Sequence, residues 1–233
     1  MAKVSGFKLK VSSCLWPRHT QGTVKAYLSG SIWYSDRPMS VQKLEARTGG
    51  RGKKGHPGLG FLAALIVIAW LIELIDWHFK LNLEQYGVVP RSVTGLRGII
   101  CMPWLHADLD HLLDNTIAIL GLGVIVILAE GRRFAATTLI LVLISGTGTW
   151  LIADLGHTES VHVGASGLVY AYFGYILARA IWGRRLVWAV VGVVVALVYG
   201  GMIGGIFPEG DHISWEAHLV GLLGGIWLGQ RHA

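Results

Sequence analysis

Cysteine, charge and acidic residues are all scarce in this 233-residue chain, and each scarcity narrows what the protein can be. The two cysteines, Cys14 and Cys101, cannot build a disulfide framework. Neither has the Cys or His spacing of a zinc site, and no HExxH motif accompanies the ten histidines, so metal catalysis is not expected. Only 15% of residues are charged while 53% are hydrophobic, and the mean hydropathy is +0.54. Those values lie outside the habits of soluble domains and make the bilayer the expected solvent. The first 55 residues hold no continuous apolar run of the kind a cleavable signal peptide needs, so targeting is assigned to the first membrane helix.

The long apolar runs are what the chain does have. Crossing a hydrocarbon core of about 30 Å takes roughly 20 largely apolar residues. Six such runs are predicted, at 59–76, 110–129, 135–153, 163–182, 186–207 and 213–230. The expected organisation is a basic, flexible cytoplasmic segment and linker over 1–58, a six-helix membrane domain over 59–230 and a short cytoplasmic tail over 231–233. The connection from 77 to 109 is long enough to predict a structured or functional loop.

Basic residues orient these spans. Eleven of the 20 Lys and Arg residues precede residue 59; Arg132 and Arg133 follow the second run, Arg179, Arg184 and Arg185 end or follow the fourth, and Arg231 follows the sixth. The loops after runs three and five carry no Lys or Arg, only Asp154, Glu159, Glu209 and Asp211. The positive-inside rule then puts both termini in the cytoplasm. Lys80, Arg91 and Arg97 in the first outer loop oppose the pattern. The basic N-terminal segment is read as an orienting element that touches lipid headgroups, not as a nucleic-acid surface.

Polar residues inside such spans are costly and ask for a partner or a task. His111 and Asn115, four apart, share one face at the start of run two; Ser166 stands in a GASG sequence at the start of run four; His218 lies about five residues into run six. Runs two, four and six all enter from the outer side, so these groups can converge beneath the outer surface. A serine hydroxyl needs a general base to become a nucleophile, and His218 suits that task. An Asn amide, a His N–H and the Ser166 backbone N–H are suitable oxyanion donors. No carboxylate is placed to orient His218, and Glu216 is too close in sequence to fold back, which favours a Ser–His dyad over a triad. Gly164 and Gly167 permit close backbone approach beside Ser166, and Gly221 and Gly225 form a GxxxG pair that lets another helix approach below His218. Taken singly, GxSG is more often helix packing and a lone membrane His a buried hydrogen-bonding group.

In order and on alternate spans, HLLDN, GASGLVYAYFGY and AHLVGLLGG resemble the rhomboid family, over about residues 59–230. The resemblance implies an all-α six-transmembrane-helix bundle that hydrolyses peptide bonds in transmembrane protein substrates. It assigns Ser166 as nucleophile, His218 as base, His111 and Asn115 with Ser166 to the oxyanion site, and Tyr170 to packing against the catalytic imidazole. Gly164 and Gly167 fill the motif glycines. Arg97 resembles part of the family's WR element without the preceding Trp, and His106 matches a further, structural histidine. No cofactor is implied, and oligomeric state and substrate identity are not encoded. The cell membrane is the expected location, with the active site opening outward.

Two other classes compete with this reading. A catalytically silent binder of membrane-protein clients would use the same groove, and a small transporter would show internal repeats, of which none is convincing. His157, His162 and His212 raise a metal alternative that lacks ligand spacing. Glu73 and Asp76, near the end of the first run, are expected to snorkel at the interface instead of marking an ion path.

Overall fold

The computed structural model describes residues 57–155, 160–208 and 214–233, together with the backbone of 26–28 and 31–33. The chain divides into two compact units, Met1–Gly52 and Lys53–Ala233. In the first, β1 (Ala26–Leu28) pairs antiparallel with β2 (Ser31–Trp33), Tyr27 opposite Ile32. The rest of the segment expected to be flexible, including most of the Gly49–Gly60 linker, lies outside the described residues.

In the second unit every regular element among the described residues is helical: α1 (Pro57–Phe79), the single turn α2 (Gly98–Cys101), α3 (Leu109–Glu130), α4 (Phe134–Ile152), α5 (Ser166–Trp182), α6 (Leu186–Tyr199) and α7 (Trp215–Arg231). Setting aside α2, six helices carry the six predicted runs. At about 1.5 Å per residue, the 23 residues of α1 reach about 34 Å, enough to cross a bilayer core. Three helical stretches are long and apolar enough to span by themselves: Pro57–Phe79, Leu109–Ile152, which joins α3 to α4 through a 3-10 turn, and Leu186–Ile206. Of α5 and α7, 17 residues each, α5 is the buried helix and α7 packs along it.

Burial inverts the soluble pattern. Leu128, Leu186 and Leu197 are 77%, 80% and 81% exposed, forming an apolar outer surface of the kind lipid covers. The core gathers Leu62 from α1, Leu122 and Val126 from α3, Leu141 from α4 and an almost wholly buried α5 from Gly167 to Ile176. Inside it, polar groups are paired, as Thr138 Oγ1 is with the Tyr172 hydroxyl at 2.7 Å.

The tightest packing is between α5 and α7, and it depends on small residues. A Cβ added at Gly221 would collide with the Gly167 carbonyl, and one at Gly225 with the Ala171 carbonyl. Bulk at either position would force apart the two helices that carry Ser166 and His218.

Three predicted boundaries shift. The run expected from 163 becomes helix only at Ser166, because the residues before it are bonded to the loop: His162 and Val88 exchange backbone hydrogen bonds at 2.8 and 2.9 Å, and Gly164 N–H donates to the Met102 carbonyl at 3.0 Å. The fifth run leaves α-helix at Tyr199 and continues as a glycine-rich 3-10 helix, Gly200–Ile206. In the sixth run α7 starts at Trp215, so His218 sits only about 4.5 Å along its helix, shallower than its place in the predicted run implies.

The long connection before α3 is a structured element. Its 3-10 turns Leu83–Tyr86, Thr94–Arg97 and Met102–Trp104 fold on each other, and Gly98 packs directly on the Gly87 backbone. Arg91 ties it to the end of α4, donating from Nη1 to the Ala153 carbonyl at 2.5 Å, and the Trp150 indole N–H returns a bond to the Ser92 carbonyl at 2.8 Å. Arg97 lies 4.4 Å over the Tyr86 ring and donates to the Gln85 carbonyl at 3.1 Å, holding the loop to itself.

Candidate active site

Ser166 is the first residue of α5, delivered there by a turn that only glycine fits well. Gly164 has φ +110°, a left-handed conformation that an L side chain rarely adopts. A Cβ there would also fall 2.7 Å from His111 Cε1 and 2.9 Å from His111 Nε2, and 3.8 Å from Ser166 Oγ. The His111 ring and the serine hydroxyl therefore flank the same glycine. As the opening residue of a helix, Ser166 has a backbone N–H with no intrahelical acceptor, at the positive end of the helix dipole.

His218 meets this serine across the α5–α7 contact. Its Nε2 is 2.8 Å from Ser166 Oγ, and its Nδ1 is 2.8 Å from the carbonyl oxygen of Gly205. A carbonyl oxygen only accepts, so in the neutral ring Nδ1 carries the hydrogen. Nε2 is left as a lone-pair acceptor for the serine O–H. The ring is buried and lies flat on Tyr170, with centroids 4.1 Å apart and planes 9° from parallel. Tyr170 is fixed in turn, its hydroxyl donating to the Met202 carbonyl at 2.6 Å. The 3-10 segment after α6 thus holds both rings through two backbone carbonyls.

His111 and Asn115 are set by the start of α3. Asp108 caps that helix, its side chain accepting from His111 N–H at 2.7 Å, which fixes His111 at the third helical position. Asn115 is buried, and its amide donates to the His111 carbonyl at 3.0 Å, committing one of its two N–H groups to its own helix. It lines a cavity of about 20 Å³, closed by Leu65 and Ala69 of α1, Leu168 of α5, and Pro103, His106 and Ala165. That is room for about one water. His106 stacks edge-on against His111 at 5.2 Å, and neither of its ring nitrogens has a hydrogen-bond partner among the described residues. Burial pushes the His106 imidazole down to about 4.

A second polar group braces the starts of α5 and α7 from the loop side. Asp154 accepts from Ser160 N–H and Oγ–H, both at 2.8 Å, and lies 3.4 Å from His162 Nε2; His162 Nδ1 is 2.7 Å from Ser214 Oγ, immediately before α7. His162 therefore ties the segment before Ser166 to the one before His218. His157 and His212 lie outside the described residues. Glu216 turns away from His218, its carboxylate accepting from Asp154 N–H at 3.3 Å.

Two features escaped the sequence reading. The group orienting His218 is the Gly205 carbonyl, and only the GGMIGG composition hinted that backbone comes close there. A Cβ at Gly205 would strike the Tyr170 hydroxyl and lie 3.2 Å from His218 Nδ1. Glu73 and Asp76 do not snorkel: they are 7% and 9% exposed, because the folded loop closes over the end of α1, and Asp76 accepts from Leu83 N–H at 2.9 Å.

Resemblances to known proteins point to one family. The rhomboid domain family matches residues 94–231, the stretch that contains both histidines, the asparagine and the serine. The chain is 36% identical over 170 residues to an uncharacterized protein of Mycobacterium tuberculosis, covering 71% of each, and 32% identical over 170 residues to one of Mycobacterium leprae, covering 71% of this chain and 67% of that one. RHOMBOID-like protein 4 of Arabidopsis thaliana is 30% identical over 160 residues, 64% of this chain and 38% of the plant protein. A family match over more than half the chain, on a bundle of six long helices with GASG and AHLVG brought together at its centre, means that this membrane protein belongs to the rhomboid family.

Proposed function

We propose that the protein is an intramembrane serine endopeptidase acting on transmembrane segments of other proteins, with Ser166 as nucleophile and His218 as general base. The observation that carries this reading is the 2.8 Å contact from Ser166 Oγ to an Nε2 whose ring has its other nitrogen committed to the Gly205 carbonyl. In that tautomer the imidazole accepts the serine proton as Oγ bonds to the scissile carbonyl carbon. It then returns the proton to the departing amine, and water repeats the sequence to release the acyl group. The imidazolium formed in between keeps its Nδ1–H bond and gains the π face of Tyr170 below it.

Negative charge on the carbonyl oxygen falls to the Ser166 backbone N–H, to His111 across Gly164, and to the Asn115 N–H group left over from its bond to His111. Transmembrane segments that unwind readily are the favoured substrates, since an intact helix shields its own peptide bonds. The distribution of Arg and Lys supports an arrangement with both termini cytoplasmic and the site open to the outer side of the cell membrane.

Purified protein treated with a fluorophosphonate probe tests the nucleophile. Wild type should label and Ser166→Ala should not; equal labelling of both would overturn the assignment.

A further inference from the structure

At the helix ends remote from Ser166, a cleft of about 380 Å³ opens between the turn after α3, the last turn of α5 and the end of α7. Three guanidiniums from these three elements line it: Arg133, Arg179 and Arg231. Glu130 is also in its wall, but that carboxylate is engaged by the Tyr175 hydroxyl, by Thr137 Oγ1 at 3.0 Å and by His232 Nδ1 at 3.1 Å. Among the described residues no carboxylate forms an ion pair with any of the three arginines. Arg179 Nε is buried without a hydrogen-bond partner.

Two of the three arginines lie over aromatic rings. Arg179 lies 5.2 Å over the Trp188 ring and Arg231 lies 4.5 Å over that of Trp227. With Trp182, 45% exposed at the end of α5, these indoles form the kind of aromatic collar that marks the headgroup level of a bilayer. Leu128, one residue before the cleft-lining Ala129 in α3, is an exposed apolar side chain.

We propose that this cleft is a binding site for the phosphate of an anionic phospholipid headgroup, seated between the three guanidiniums with its chains along the neighbouring helix surface. Guanidinium forks suit phosphate oxygens, and three of them from separate elements clamp the ends of α3, α5 and α7 together through one ligand. The inference is independent of the catalytic reading, because none of these residues approaches Ser166 or His218.

Native mass spectrometry of the detergent-solubilised protein, titrated with phosphatidylglycerol or with zwitterionic phosphatidylcholine, tests it. Wild type should retain phosphatidylglycerol in preference and show a higher melting temperature with it. The Arg133→Gln/Arg231→Gln variant keeps Arg179 on Trp188 and should bind roughly tenfold or more weakly. An Arg184→Gln/Arg185→Gln control, on the same side but outside the cleft, should bind like wild type. Equal retention of the two lipids, undiminished binding by the cleft variant, or equal loss in the control would overturn the site. Displacement of the lipid by inorganic phosphate alone would overturn the lipid assignment in favour of a free phosphate.

Discussion

The site turns on which nitrogen of His218 holds a hydrogen, and a backbone carbonyl makes that choice. In many serine hydrolases a buried carboxylate holds the base. Here the Gly205 carbonyl supplies the acceptor at 2.8 Å, and the Tyr170 ring supplies the wall. In the proposed reaction serine and histidine act as one unit, so Ser166→Ala and His218→Ala should each abolish cleavage of a reporter transmembrane substrate, and the double variant should be little worse than either. Wild-type cleavage by either single variant would sink the dyad.

The proposed reaction gives Asn115 a different task, since its amide neither gives nor takes a proton at neutral pH. Removing one oxyanion donor costs about 10²–10³ in rate, and His111 and the Ser166 N–H remain. Asn115→Ala should therefore be slow yet measurably above Ser166→Ala in folded protein. Turnover equal to wild type would leave Asn115 a structural residue only.

At the scale of elements, two close contacts set the distance between Ser166 and His218. One is the α5–α7 crossing, where Gly225 lies on the Ala171 carbonyl. Gly225→Leu should lower the melting temperature and remove activity together, through separation of the helices; an unchanged melting temperature with full activity would contradict this packing. The other is the 3-10 helix Gly200–Ile206. A Gly205→Ala side chain would press on the Tyr170 hydroxyl and on His218 Nδ1, so this variant should lose kcat with little change in thermal stability. A melting-temperature loss as large as that of Gly225→Leu would mean the segment is structural first and orients His218 only incidentally.

The second unit, Lys53–Ala233, is a helical bundle closed at one end by the folded connection between α1 and α3, and His106 is buried at that closure. Its imidazole, pushed down to about 4 by burial, binds a proton less readily folded than unfolded. The stability due to neutral His106 is complete above about pH 6.5 and is lost as pH falls toward 4, up to about 3 kcal/mol. Melting temperature should drop over that window in wild type, and His106→Phe should flatten the slope. Parallel curves for the two proteins would remove His106 from the account. Orientation is tested at the same scale: in a Cys14→Ser/Cys101→Ser background, a cysteine at Glu209 should react with an impermeant thiol reagent outside intact cells, and one at Arg132 should not. The reverse pattern would invert the topology.

Hydrophobic run length and spacing determined the six helices and the order of the motifs upon them, because a bilayer demands about 20 apolar residues per crossing whatever surrounds them. The i, i+4 spacing of His111 and Asn115 and the glycines of AHLVGLLGG were equally legible, being local consequences of helix geometry. Only the tertiary structure decided the rest. The start of α5 at Ser166 depends on the Val88–His162 pairing, between residues 74 positions apart in the chain. The orientation of His218 depends on a carbonyl, which every residue has and no sequence pattern advertises. Glu73 and Asp76 are buried because a distant loop folds over them, and the Arg133–Arg179–Arg231 cleft exists because three helices end side by side. Contacts between remote segments are fixed by packing, which a one-dimensional pattern constrains but does not specify.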